Sequence, residues 1–344
     1  MEKKTDLKNL TLEELTDFVR SMGEKKFRAA QIFRKMYAGA DSFDDMKELP
    51  AAFREKLKEA AALSMVEMKQ RQISSDGTRK YLFAIAGGEA VETVFMQYHY
   101  GGTVCVSCQA GCRMGCAFCA SGINGLTRNL TAGEIVDQIL HVQKDAGERI
   151  SHVVFMGTGE PFDNYEEVSK ALRLLHEPKG FGLGARHITV STCGLVRGME
   201  RFARDFPQTG LAVSLHAPSD EIRRQLMPVA KSVSMKELLE ASRRYTETTH
   251  RRITFEYALI DGVNDRPEHA EMLASRLKGM LCHVNLIPLN TVEEKQYRSA
   301  RREQAEAFAR ILEDKGVQVT IRRSLGPDIQ AACGQLRLAD ANRP

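Results

Sequence analysis

No stretch of this chain approaches the ~18 to 20 consecutive apolar residues that a bilayer-spanning helix needs, and the opening residues MEKKTDLKNLTLEEL carry no apolar segment behind their charges. A cytosolic (cytoplasmic) protein with no membrane partner is therefore expected. Tandem repeats, low-complexity segments and long linkers are also missing, which argues against a repeat architecture. Charge bias is slight, because 49 basic and 45 acidic residues leave a net charge of +4. That is a weak sign of a polyanionic partner, shared by many enzymes of small molecules. The eight cysteines do not form a disulfide framework. In a reducing compartment, clustered thiols point instead to metal ligands or redox catalysts.

What is present falls into three parts within 344 residues, of which 43% are hydrophobic, enough for one large domain and a smaller appendage. LTLEELTDFVRSMG opens with a Thr11 cap and Glu14 three positions on, and closes at Gly23. KFRAAQIFRKMYAG and FREKLKEAAAL follow with helical spacing. Residues 10–63 are thus predicted to be all-helical, in an accessory domain spanning 1–63. From about 65 the period changes to two, and VEMKQRQI, RKYLFAIA and EAVETVFMQYH, separated by SSDGT and GG, predict an antiparallel β extension over 64–104. Over 105–344 the strands SHVVFMG, RHITVST, GLAVSLH, RITFEYALI, CHVNLIPL and VQVTIRR alternate with helices. Two of those helices open on capping boxes, Thr131 with Glu134 and Ser234 with Glu237. This is an α/β fold with a parallel sheet, doubly wound or curled into a full or partial barrel. Chemistry in such folds gathers at the C-terminal strand ends, where GTGEP, STCG, SLHAP and LIPLN fall. Arginine pairs at 223/224, 243/244, 251/252, 301/302 and 322/323 read either as solvated helix faces or as an approach surface for a polyanion.

CVSCQAGCRMGCAFC, residues 105–119, holds five of the eight cysteines. Cys112, Cys116 and Cys119 form C-x3-C-x2-C beside Gly111 and Gly115, which let the backbone fold round a ligand. Four thiolates would close a structural zinc or ferredoxin-type site, whereas three leave one metal position open. The spacing resembles the signature of radical S-adenosylmethionine (SAM) enzymes. The resemblance implies a TIM-like partial (β/α)6 barrel and a [4Fe-4S] cluster whose fourth iron chelates the methionine part of SAM. It further implies that Gly159 and Glu160 meet the SAM amino group, and that Ser191, Ser214, Leu215, His216 and Asn290 contact ribose, adenine or carboxylate. His216 taken alone would read as a structural histidine.

AACGQL, VETVF, CASGINGLTRNLT, GTGEPFDNY, VSTCGL, AVSLHAPSDEIR and HVNLIPLN add a closer resemblance, to the RNA adenine methyltransferases of the RlmN and Cfr type, over residues 10–338. That family implies two SAM molecules per turnover, an S-methylcysteine at Cys333, and release of the RNA by a disulfide between Cys333 and a second cysteine. It also implies Glu92 as a general acid or base and a donor such as flavodoxin or ferredoxin. A monomer is expected, with 23S ribosomal RNA, and possible transfer RNA, as substrate. Cys105 is the candidate for the second cysteine if TVCVSC runs as a regular strand, sharing a face with Thr103 and Ser107. A bulge would favour Cys108, where the family has Ser or Thr. Cys193 and Cys282 read as plain buried thiols. Pro161 and Pro288 favour carbon-2 methylation over the carbon-8 chemistry of the Cfr branch. A non-methylating radical SAM activase and a non-catalytic iron–sulfur RNA-binding protein stay open as alternatives.

Overall fold

The computed structural model describes residues 4–63, 66–290, 295–323, 325–326 and 328–329. The N-terminal part runs β1 (Thr5–Asp6), a 3-10 turn (Leu7–Asn9), α1 (Leu12–Ser21), α2 (Phe27–Tyr37), α3 (Ala51–Ala60) and β2 (Ala61–Ala62). The capping box forms: Thr11 Oγ1 accepts the Glu14 N–H at 3.2 Å and Glu14 accepts the Thr11 N–H at 2.7 Å. The all-helical expectation is corrected at its end, because β1 and β2 pair in parallel. There the chain enters and leaves the unit extended side by side, and its backbone polar groups pair rather than stay buried and unsatisfied.

The chain continues through β3 (Glu67–Ile73), β4 (Arg79–Ala84), β5 (Ala90–Tyr98), β6 (Gly101–Cys105), β7 (Gln109–Gly111) and β8 (Leu126–Asn129). Then come α4 (Ala132–Ala146), β9 (Ile150–Phe155), α5 (Tyr165–His176), β10 (Ile188–Thr192), α6 (Val196–Asp205) and β11 (Gly210–Ser214). After these follow α7 (Asp220–Leu226), α8 (Met235–Thr249), β12 (Ile253–Leu259), α9 (Pro267–Leu277), β13 (Cys282–Pro288), α10 (Arg302–Asp314) and β14 (Val319–Ile321). Ten strands make one sheet in the order β14-β13-β12-β11-β10-β9-β6-β5-β4-β3. Every pairing from β6 to β14 is parallel, and β3 to β6 are antiparallel.

The sheet does not close, so the barrel is partial. Strand β6 belongs to both halves, pairing antiparallel with β5 and parallel with β9. The meander is therefore continuous with the barrel, and residues 104 and 105 sit together at the end of one strand. A meander ending on a free edge would leave a row of unpaired backbone groups, and β9 satisfies them.

Alternation along each strand sorts core from cavity. On β12, Phe255 and Tyr257 are fully buried, with Tyr257 packed on Phe308 of α10 at 5.3 Å between ring centroids. Glu256 and Ala258 point the other way, into the barrel. The barrel's far side is tied back to the meander: the Gly326 N–H donates to Asp76 at 2.9 Å and the Ser75 N–H donates to Asp328 at 2.9 Å.

Helix α4 joins the helical domain to the barrel. It opens on the expected Thr131/Glu134 box, with bonds of 3.2 and 3.0 Å. One turn in, the buried Asp137 carboxylate pairs with the buried Lys8 ammonium and accepts the Val66 N–H at 3.0 Å. The next residue, Gln138, grips Ser107 on both sides, accepting its N–H and donating to its carbonyl, each at 3.0 Å. One helical turn thus docks the accessory domain and fixes the backbone between Cys105 and Cys108.

Candidate active site

The cysteine loop lies across the C-terminal strand ends and is held from both sides. The Cys112 N–H donates to Gly125 O at 2.9 Å and the Ala117 N–H to Leu226 O at 2.8 Å. A side chain at Gly111, at φ +84°, would place its Cβ 2.0 Å from Gly125 O, so this turn requires glycine. Cys112, Cys116 and Cys119 border a cavity of about 220 Å³ that Gly159, Glu160, Ser191, Ser214 and His216 also line. Asn290 lies apart from it, in a neighbouring cavity of about 290 Å³. Leu215 turns its side chain into the core and donates its N–H to Glu256 O at 3.0 Å, so it can meet a ligand only through backbone.

Cys112 and Cys116 are ill-suited to ionise unaided. Burial pushes Cys112 up to about 11. Cys116 moves further the same way, from burial first and then from the neighbouring Cys119 and Cys112. A cationic metal core reverses that balance by stabilising thiolates. Among the described residues, no three His, Cys, Asp or Glu side chains converge on a single-ion site. A cubane asks for no such convergence, since each thiolate binds a different iron. Three thiols on one loop bordering one cavity therefore fit a [4Fe-4S] cluster, which Cys112, Cys116 and Cys119 would hold with one iron left without a protein thiolate.

Glu160 is shaped to receive a cation. Its two carboxylate oxygens accept the N–H groups of Cys193 at 2.7 Å and Phe162 at 3.0 Å, while its own N–H donates to Gln109 at 2.8 Å. Burial raises its pKa despite those donors, and an ammonium beside it would offset that cost. Gly159, at φ +115°, keeps the backbone close, for a Cβ there would fall 2.7 Å from Gln109 Cβ and 2.9 Å from Cys108 Sγ.

His216 combines structural and site roles. Its Nδ1 accepts the Ala258 N–H at 2.9 Å, which leaves the proton on Nε2. The ring sits edge-on to Phe118 of the cysteine loop at 4.9 Å and borders both cavities. Its backbone is left-handed, at φ +53°, a conformation uncommon outside glycine. Burial, and after it the Arg223 charge, push His216 down to about 3, so it serves as a neutral donor. Unfolding lets it take up a proton below its ordinary value near 6.5. It therefore makes stability fall as pH drops from about 6.5 toward about 3. The variant His216→Asn, which tolerates left-handed backbone, is expected to lose that portion of the acid slope in denaturant titrations at successive pH values. An unchanged slope would refute the assignment.

The structure separates the two rival thiols. Cys105 opens onto the 290 Å³ cavity, which shares Phe118, Cys119, Met156, His216, Ile287 and Arg322 with the cluster cavity. Cys108 packs in the apolar core beneath Gly159, and burial pushes its thiol well up. Glu92 is no surface carboxylate: it is buried against Lys80, Oε2 to Nζ 3.1 Å, on the strand face that carries Val94 and Met96 to the Cys105 cavity. Cys282 is buried, as is Cys193, which in addition borders the cluster cavity. Cys333 lies outside the described residues, so the expected Cys105–Cys333 disulfide does too; no disulfide joins any two of the described cysteines.

Sequence reasoning missed Lys80, Glu256 and Arg322. Glu256 lines the cluster cavity and accepts from Asn285 Nδ2 at 2.9 Å, and Arg322 borders both cavities. The available signal for the first two was a charge set into a largely apolar strand, Lys80 beside Arg79 in RKYLFAIA and Glu256 in ITFEYAL. Of the arginine pairs read as surface charge, Arg223 is fully buried and Arg322 and Arg323 border the Cys105 cavity. Helix burial in the first case and the strand-end position in the second override the surface reading.

Comparison with known proteins agrees with this geometry. Residues 106–277 match the Radical SAM superfamily, and residues 5–63 match the Ribosomal RNA large subunit methyltransferase N-terminal domain. A Desulforamulus reducens protein is 52% identical over 337 residues, covering 97% of this chain and 96% of its own. A Thermoanaerobacter species protein is 49% identical over 334 residues, covering 96% and 97%. Both bear the description "Probable dual-specificity RNA methyltransferase RlmN". A crystal structure of a radical SAM methyltransferase from Sphaerobacter thermophilus superposes with a TM-score of 0.93 at 46% identity, covering 96% of this chain and 98% of that one. With the cysteine loop, the strand-end cavity and full-length similarity all in agreement, the chain belongs to the RlmN family of radical SAM RNA methyltransferases.

Proposed function

We propose that the enzyme methylates carbon-2 of an adenosine in 23S ribosomal RNA, and of an adenosine in transfer RNA, through an S-methylcysteine at Cys333. The observation that carries this reading is the Cys105 thiol, on a cavity wall that runs directly into the cluster cavity.

Carbon-2 of adenine is a poor nucleophile and cannot displace the methyl of SAM, so a carbon radical has to add to the ring. Cluster and SAM together supply a deoxyadenosyl radical, and two SAM molecules are consumed per turnover. Cys333 accepts a methyl group by displacement, loses a hydrogen atom from it and becomes bonded through that carbon to the ring. The ring radical has to give up one electron, which the cluster would take back, while Glu92, paired with Lys80, removes the ring proton. The Cys105 thiolate then attacks the Cys333 sulfur, so that the bond from sulfur to carbon breaks and the carbon takes up a proton to become the methyl group. A disulfide forms as the methylated base leaves, and a thiol reductant resets it.

Pro161 on the cluster cavity and Pro288 on the Cys105 cavity support carbon-2 over carbon-8. The description of the relatives as dual-specificity supports the transfer RNA substrate. The target base has to leave its stack to enter, and exposed basic side chains, Arg323 among them, suit the phosphate backbone. We assign electron supply to a flavodoxin or ferredoxin and the working unit to a monomer.

The test is anaerobic incubation of reconstituted enzyme with SAM, reductant and a 23S fragment or transfer RNA, followed by nucleoside analysis. Methyl on carbon-2 is the expected product, and Cys333→Ala should still release deoxyadenosine while methylating nothing. Methyl on carbon-8, or methylation by the alanine variant, would overturn the reading.

A further inference from the structure

Arg223 is fully buried, yet among the described residues no carboxylate pairs with it. Its Nη2 donates to Cys193 O at 2.7 Å and its Nη1 to Val233 O at 3.3 Å, while Nε has no hydrogen-bond partner. The nearest acidic side chain on the same helix, Asp220, accepts the Met235 N–H at 2.7 Å. Asp220 acts on Arg223 through space without a hydrogen bond to it, and a cation taken out of water with two carbonyls as its hydrogen-bond partners is destabilising unless further negative charge lies nearby.

Its surroundings show where that charge would be. Cys193, whose carbonyl it holds, borders the cluster cavity together with Cys112 and Cys116. One turn along α7, Leu226 O accepts the N–H of Ala117, the residue that follows ligand Cys116. Met227, whose N–H donates to Arg223 O at 2.7 Å, also lines the cavity. A Cβ at Gly194 would come within 3.2 Å of Nη2, so the turn after β10 closes tightly over the guanidinium. The helix that braces the cluster loop thus sets a bare positive charge beneath it.

We propose that Arg223 is the electrostatic partner of the iron–sulfur cluster, making it easier to reduce and helping to retain it. It is a tuning residue, since it acts on the cluster across the intervening loop and touches neither SAM nor RNA. Three thiolates around a [4Fe-4S]2+ core carry a net charge of −1. One electron from a low-potential flavin or iron–sulfur donor takes the core to 1+ and the total to −2. That electron then cleaves the sulfonium bond of SAM. A fixed cation favours the more negative state, so it shifts the equilibrium toward reduction.

The experiment compares Arg223→Lys, Arg223→Gln and Arg223→Met in the reconstituted full-length enzyme, with midpoint potentials read by electron paramagnetic resonance titration. Lysine keeps the charge but not the forked geometry, glutamine keeps donors for the two carbonyls but not the charge, and methionine keeps neither. The two neutral variants are expected to reduce at least tenfold less favourably than wild type, a shift of about 59 mV for one electron, with lysine near wild type. Loss of cluster iron and sulfide from both neutral variants, with lysine retaining them, would support the proposal equally. Equal potentials in all the variants, or loss of the cluster from all three, would reduce Arg223 to a staple between loops and overturn it.

Discussion

Cys105→Ala is expected to stop turnover with the RNA still bonded to the protein, seen as a slow-migrating, protease-sensitive band on a denaturing gel. The argument rests on position. Among the described cysteines, Cys105 is the non-ligand thiol that lines the cavity adjoining the cluster cavity, and without it the Cys333 sulfur has no attacking partner. Loss of a covalent participant costs about 10³-fold or more in rate. Cys108→Ala is the matched control. Its thiol is enclosed in core, so truncation should cost about 1–2 kcal/mol of stability through a small cavity and leave methylation running. An adduct from the Cys108 variant and none from Cys105→Ala would exchange their roles.

Asp137→Ala should be the most damaging change outside the site. It strands the Lys8 ammonium, which is only 5% exposed, and leaves the Val66 N–H without its acceptor. Breaking a buried pair from one side costs about 3–5 kcal/mol. Denaturant unfolding measures the loss, and limited proteolysis should now release the helical domain from the rest. Adding Lys8→Met to Asp137→Ala removes the stranded charge and should recover part of the stability, whereas two independent sites would add their costs. Gln138 follows Asp137 in the same turn and holds Ser107, so the single variant should also slow alkylation or turnover at Cys105. Wild-type stability in Asp137→Ala would show that the domain docks by other contacts.

Most of the fold was legible because period and punctuation agree along the chain. The capping boxes at Thr11, Thr131 and Ser234 form as read, and five of the six strands of 105–344 appear within their quoted stretches, while β9 starts one residue ahead of its own. The double role of β6 was hidden, because pairing partners are a property of the sheet and TVC reads alike in a meander or a barrel. The β1–β2 pair was hidden for a similar reason, since two-residue strands carry no period. In the site, residue spacing located the cluster loop, but it could not choose between Cys105 and Cys108. That choice depends on where the chain leaves the strand, which Ser107 fixes through its hydroxyl by donating to Glu92 O at 2.6 Å and accepting the Thr158 N–H at 3.0 Å. Arg223 could not have been found at all. Its doublet looks like any exposed pair until the turns around Gly194 and Leu226 close over it.

The strictly sequential order of the large sheet also bears on how the chain is made on the ribosome. Apart from the β7–β8 pair, which forms its own sheet while β9 joins β6, each strand is laid on the one synthesised before it, so loop-closure costs stay small and few unpaired edges have to wait. Two connections break that local pattern. Lys8 has to wait for Asp137, and the β3–β4 turn has to wait for Gly326 and Asp328 at the other end of the barrel. The cysteine loop therefore emerges while β12, β13 and β14 are still unmade, leaving one side of its cavity open. A cluster delivered by another protein would find its three thiols accessible during that interval, before the last strands and the final tie to the meander build the wall.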